Sequence, residues 1–209
     1  MQQVLIFDYD GVIVDSLPIF MTYFIKACNQ HGHPEIATKQ EFLQLFNGNM
    51  FTQMMKKGMD KKTILKIVYK LKEGLEEHTN EINIFPNMKK VLEQLSKHHR
   101  LIISTSNETA VVRNHLKREN INGLFDNIYG SDVEPSKVKK IQIIKNKSHE
   151  KKYSYIGDTI GDILEGKQAQ VQTIAVSWGW HKKNELLNVK PDHIIDNPAE
   201  LLSLFTGKS

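Results

Sequence analysis

Cysteine is almost missing from this chain: Cys28 stands alone among 209 residues. A single thiol excludes an intrachain disulfide framework, so a hydrophobic core has to hold the fold, and the usage suits a reducing compartment. Long apolar runs are missing too. Nothing approaches the roughly 20 consecutive residues that span a bilayer, and the opening MQQVLIFDYD has neither a basic leader nor a cleavage site. These absences predict a cytoplasmic protein with no membrane segment. Aromatics are sparse, at 8 %. The net charge of +4 raises nucleic acid as a partner, but the lysines fall in scattered pairs: Lys56-Lys57, Lys61-Lys62, Lys139-Lys140, Lys151-Lys152 and Lys182-Lys183. Aromatics do not alternate with them as a stacking platform for single strands requires. The pairs read as solvated helix faces that draw in small anions, and nucleic acid is not an expected partner.

What the chain does have is enough apolar residue, 40 %, for one large domain or a domain carrying an insert. Val4-Leu5-Ile6-Phe7 is a short continuous apolar run, the pattern of a strand buried on both faces. From about Ser16 to Glu81 the periodicity is helical. Phe20, Tyr23, Phe24 and Ala27 share one face, Thr38 and Glu41 form a capping-box pattern, and Asp60 can cap a helix bearing Ile64, Ile67, Val68, Leu71 and Leu75. After Phe85-Pro86 strands and helices alternate. Asn87 is placed to cap a helix running to Ser96. Strands are expected at 101–105, 128–129, 153–156, 173–176 and 193–195, with helices at 111–117, 136–145 and 199–205. The fold class predicted is α/β, a doubly wound parallel Rossmann-like sheet with an inserted all-helical cap domain. Residues 1–15 and 82–209 make the core and 16–81 the cap.

Such sheets bind ligands at the carboxyl ends of their strands. There the sequence places polar residues that gain nothing from packing: Asp8 and Asp10 after the first strand, Thr105-Ser106-Asn107 after another, and Gly157-Asp158-Thr159 with Asp162 after a third. Four carboxylates on one edge repel one another unless a cation neutralises them, and carboxylate oxygens with room for water suit Mg²⁺. Lys137, opening a helix, adds a second positive charge. An edge with metal, lysine, hydroxyls and backbone N–H groups suits a phosphate.

The segment Phe7-Asp8-Tyr9-Asp10-Gly11-Val12-Ile13-Val14-Asp15-Ser16 resembles the first motif of the haloacid-dehalogenase-like superfamily. Thr105-Ser106-Asn107, Lys137 and Gly157-Asp158-Thr159-Ile160-Gly161-Asp162 resemble its second, third and fourth. Stretches 166–180 and 191–196 are similar to phosphoglycolate-phosphatase-like members. The resemblance implies that Asp8 attacks phosphorus, giving an aspartyl-phosphate, while Asp10 serves as general acid and then base. It implies Mg²⁺ on Asp8, the Asp10 carbonyl and Asp158, with Asp162 as ligand or support, and phosphoryl oxygens held by Thr105 and Lys137. Ser106 competes with Thr105 for that role, because the strand end is ambiguous by one residue, and Asn107 completes the motif.

Blander readings exist for several of these residues. Asp10-Gly11 can be a turn and Asp158-Thr159 a helix cap, while Asp15 and Ser16 suit the cap of the first long helix. Trp178 and Trp180 suit either packing or the rim of a substrate entrance, and Phe46-Asn47-Gly48-Asn49 either a turn or a contact to the leaving group. The expected function is hydrolysis of a small phosphate monoester, phosphoglycolate-like first, with monomer and homodimer both open. The scaffold also serves phosphoglucomutase-type transferases and phosphonoacetaldehyde hydrolases, for which Lys56 or Lys57 would supply a Schiff base. Outside enzymes the alternative is a non-catalytic binding protein.

Overall fold

The computed structural model describes residues 2–147, 150 and 152–206. In chain order the elements are β1 (Val4–Phe7), β2 (Val14–Asp15), α1 (Leu17–Gln30), α2 (Lys39–Gln44), α3 (Met50–Lys56), α4 (Lys61–Glu77), β3 (Asn83–Ile84), α5 (Met88–Leu95), β4 (Arg100–Ser104), α6 (Thr109–Arg118), β5 (Asn127–Tyr129), α7 (Lys137–Lys147), β6 (Tyr153–Gly157), α8 (Ile160–Gln168), β7 (Gln172–Val176), α9 (Lys183–Asn188), β8 (His193–Ile195) and α10 (Glu200–Thr206). Six strands form a parallel sheet in the order β5-β4-β1-β6-β7-β8. The chain fills one side of β1 and then the other, so its direction of travel reverses beside β1. That reversal is where open α/β sheets leave a crevice.

β1 shows why this sheet is covered on both faces. Leu5 and Phe7 enter one apolar cluster with Val91, Leu92 and Ile103, and Val4 and Ile6 enter another with Ile141, Ile144 and Tyr155. Successive side chains of a strand point to opposite faces, so a continuous apolar run is what two covered faces demand.

The helices α1 to α4 lie between β2 and β3, which pair antiparallel as a two-stranded ribbon, Val14 opposite Ile84. They bury a cluster of their own, including Phe20, Phe24, Phe42, Met54, Ile64 and Ile67. The capping box at Thr38 and the Asp60 cap form as the sequence predicts. Asn87 does not behave as expected. It precedes α5 in the left-handed region, φ 66°, without a side-chain cap, because the chain turns sharply there after Phe85-Pro86. Ser16 likewise makes no cap for α1, and Pro198 lies in the turn just before α10. Among the described residues no helix is long and apolar enough to cross a membrane.

Candidate active site

Register sets the site. Phe7 lies opposite Ile103 of β4 and Ile156 of β6, so the chain leaves all three strands at one level of one edge. Asp8 therefore emerges beside Ser104-Thr105 and Gly157-Asp158. The helix α8 follows at once, its N-terminus closed by a reciprocal box: the Asp162 amide donates to Thr159 Oγ1 (3.1 Å) while the Thr159 amide donates to Asp162 Oδ2 (3.1 Å). This box leaves Asp162 Oδ1 aimed back at the sheet edge.

Carboxylate oxygens of Asp8, Asp158 and Asp162, all three buried, fall within 4.8 Å of one another. Lys137 Nζ donates to Asp8 Oδ2 (2.7 Å) and to Asp162 Oδ1 (2.6 Å), and Tyr155 Oη donates to the latter (3.0 Å). Burial opposes the charge of Lys137, but Asp162 and Asp8 outweigh it and hold the ammonium well above its ordinary value. Burial also works against Asp162, yet Lys137, Thr159 and Tyr155 keep it ionised below the usual carboxylate range. Asp8 goes the other way. Burial pushes it up to about 7 despite Lys137. Burial and the neighbouring Asp162 and Asp8 push Asp158 well up too. Asp158 Oδ2 accepts from the Trp180 amide (2.7 Å), but Oδ1 is buried without a partner. An orphaned oxygen in an all-oxygen trio fits a hard divalent cation, which would supply the missing charge.

Asp10 is not one of this trio. Its Oδ1 accepts from Ser16 Oγ (2.6 Å) and its Oδ2 from Asn107 Nδ2 (2.7 Å), while burial raises its pKa. The Ser16 hydroxyl thus serves Asp10 rather than the helix cap that its position suggested. Thr105 is fully buried, with Oγ1 accepting from the Asn107 amide (3.1 Å), whereas Ser106 is exposed and lines the cavity. Beneath Thr105 is an unexpected residue. Lys140, read from sequence as part of a solvated pair, is fully buried and donates to the Thr105 carbonyl, and burial pushes its ammonium down to about 8.

The helical insert closes over this edge, enclosing a cavity of about 70 Å³ lined by Asp8, Asp10, Lys137, Asp158 and Asp162 below and Phe46, Gly48 and Asn49 above. Contacts around the start of α8 and the 178–181 segment help to seat it. The Gly161 amide donates to the Phe46 carbonyl (2.9 Å). His181 accepts from the Ile160 amide at Nδ1 (3.0 Å) and donates from Nε2 to the Leu43 carbonyl (3.1 Å). Trp180 inserts its indole among Phe20, Phe42 and Phe46, 4.7 Å between ring centroids at Phe46. Trp178, two residues earlier, packs on the core instead and donates to the Val12 carbonyl (3.2 Å).

Sequence reasoning missed His181 and the Trp180 amide, because a lone histidine and a backbone N–H carry no pattern. It also missed Glu165, one turn beyond Asp162, which lines the cavity and which burial pushes up to about 7. Its i, i+3 spacing from Asp162 was the available signal.

The chain is similar to several known proteins along nearly its whole length. The chain is 25 % identical over 207 residues to a phosphoglycolate phosphatase of Synechococcus elongatus, covering 98 % of this chain and 97 % of that one. It is 27 % identical over 208 residues to the pyrophosphatase PpaX of Oceanobacillus iheyensis, covering 96 % and 95 %. A haloacid dehalogenase-like hydrolase from Streptococcus pneumoniae superposes with a TM-score of 0.81 at 28 % identity, covering 98 % of each chain. A hydrolase from Pseudomonas syringae, at 18 % identity and a TM-score of 0.81 over the whole of both chains, shares the fold. The model of the haloacid dehalogenase-like hydrolase family matches residues 5–176, most of the sheet and the entire helical insert, and the chain belongs to that family.

Proposed function

We propose that this chain hydrolyses the monoester of a small phosphorylated metabolite through a phosphorylated Asp8, with Mg²⁺ as cofactor. The observation that carries this reading is the buried trio Asp8, Asp158 and Asp162 beside Lys137, roofed by the helical insert. Asp8, Asp158 and Asp162 are the side chains that would hold the cation. When bound it neutralises carboxylate and phosphoryl charge and so keeps Asp8 ionised as a nucleophile.

The protein's own residues divide the remaining work. A carboxylate oxygen of Asp8 attacks phosphorus as the ester P–O bond breaks. Asp10, anchored by Ser16 and Asn107 and raised by burial, gives a proton to the departing oxygen and later takes one from the water that cleaves the aspartyl-phosphate. Lys137 meets the phosphoryl oxygens from one side and the Thr105-Ser106 hydroxyls from the other, with Lys140 fixing the Thr105 carbonyl beneath them. Residues 16–81 form the cap, and the β2–β3 ribbon at its two ends is the hinge. Lys56 and Lys57 are exposed and outside the cavity, which disfavours Schiff-base chemistry in the cap.

The test is phosphate release from a panel of monophosphates headed by phosphoglycolate, the compound that names one relative. Turnover is expected with Mg²⁺, should vanish with EDTA, and should fall at least about a thousandfold in Asp8→Asn, as for loss of a nucleophile that acts with its partners as a unit. Equal release by Asp8→Asn and the native protein would sink the reading. Turnover only with a bisphosphate activator would point to a mutase.

A further inference from the structure

The cavity has a charged floor and an apolar roof. Lys137 is its one cation among the described lining residues, and both of its short contacts go to the carboxylates of Asp8 and Asp162. Phe20, Phe46, Met50 and Trp180 line the same cavity, and so does the carboxyl group of Glu165. The aromatic rings interlock, with centroids 5.0 Å apart for Phe20 and Trp180 and 4.7 Å for Phe46 and Trp180.

A second hollow of about 110 Å³ adjoins this cavity, sharing Phe20, Met50 and Ser106 with the first. Between α1, α4 and α6 its apolar wall is Val68, Leu71, Leu75 and Val111. Its one cation among the described lining residues, Lys72, lies 2.7 Å from Glu108 and 3.9 Å from Glu76, and both glutamates line the same hollow. The lining therefore carries more negative than positive charge. An anionic leaving group placed there would meet the carboxylates of Glu76 and Glu108 and, among the described lining residues, no cation that is not already paired with them.

We infer that the substrate of this site is a phosphate monoester whose leaving group is uncharged and partly apolar, running from the Phe20–Trp180 wall into the hollow between α1, α4 and α6, and that Glu165 disfavours anionic leaving groups. The inference rests on the phosphatase reading of the site. It sets this chain apart in substrate class from proteins whose leaving group carries a carboxylate or a second phosphate.

The experiment compares kcat/KM with Mg²⁺ for four compounds, each corrected for Asp8→Asn: butyl phosphate, 2-hydroxyethyl phosphate, phosphoglycolate and pyrophosphate. 2-Hydroxyethyl phosphate matches phosphoglycolate in length but lacks its carboxylate. The expected result is that each of the two uncharged esters exceeds each of the two anionic compounds by about tenfold or more. Glu165→Gln should raise the ratio of phosphoglycolate to butyl phosphate turnover. A kcat/KM for phosphoglycolate or pyrophosphate that equals or exceeds that of the uncharged esters overturns the inference while leaving the phosphatase reading intact. Absence of Asp8-dependent release from all four, and from p-nitrophenyl phosphate, overturns that reading and the inference with it.

Discussion

Tyr9, in the middle of the first motif, shows how a site residue is braced from outside. Its hydroxyl donates to His115 Nδ1, and His115 Nε2 donates to the Ile82 carbonyl (3.1 Å), so the ring is neutral with its proton on Nε2. This ties the turn after β1 to the end of the helical insert through α6. Burial holds the His115 pKa below its ordinary value. The unfolded chain then binds the proton more readily, so the contribution of neutral His115 is complete above the ordinary range near 6.5 and declines as pH falls below it. Denaturant unfolding should therefore show a larger loss of stability between about pH 7.5 and pH 5.5 in the native protein than in His115→Gln. Equal losses would show that His115 is not the group responsible. Nothing in the sequence marks this histidine. It lies on a helix whose partner residues are 106 and 33 positions away.

At the scale of elements, the seating of the insert on the N-terminus of α8 decides whether the cavity closes. A Cβ at Gly161 would lie 2.9 Å from the carbonyl oxygens of both Phe46 and Gly48, so glycine is required by the close approach of two backbones. Gly161→Ala should push the 46–49 loop away and break the Gly161–Phe46 hydrogen bond. It should raise KM about tenfold or more while the circular dichroism spectrum stays native, because a misplacement of about 1 Å at a positioning element can cost that much. Unchanged KM would show that this contact does not gate the site. The sequence made α2 and α4 legible through their capping residues. It left α3 unread, since seven residues with mixed periodicity look like loop until Asn49 caps them.

Across the whole molecule, the acidic trio exists only because β1, β6 and α8 meet. Asp8 and Asp158 are 150 positions apart in the chain, so the unfolded state presents no comparable site. A ligand that binds only the native state at a hundred times its dissociation constant stabilises by about 2.7 kcal/mol. For a chain of this size that corresponds to a rise in Tm of about 5–10 °C. Mg²⁺ should produce a shift of this order in thermal unfolding, and Asp158→Asn should remove most of it. A shift of equal size in Asp158→Asn would place the cation elsewhere.

The sequence alone determined the α/β class, the helical block between the first strand and the rest, and the carboxylates at the strand ends. These follow from local causes. Periodicity reports burial, and polar residues at the ends of apolar runs report an edge that packing does not use. What needed the tertiary structure were the partners that arrive from elsewhere in the chain. Ser16 turned from a helix cap into a donor to Asp10, and Lys140 from a surface lysine into a buried brace beneath Thr105. Trp180 came to hold Asp158 with its amide and the insert with its ring. The make-up of the cavity lining was likewise invisible beforehand, because Phe20, Met50, Glu165 and Trp180 share a surface only after the insert has closed on the sheet. Side-chain type is written in the sequence, but electrostatic environment depends on distance and desolvation, and folding alone sets those.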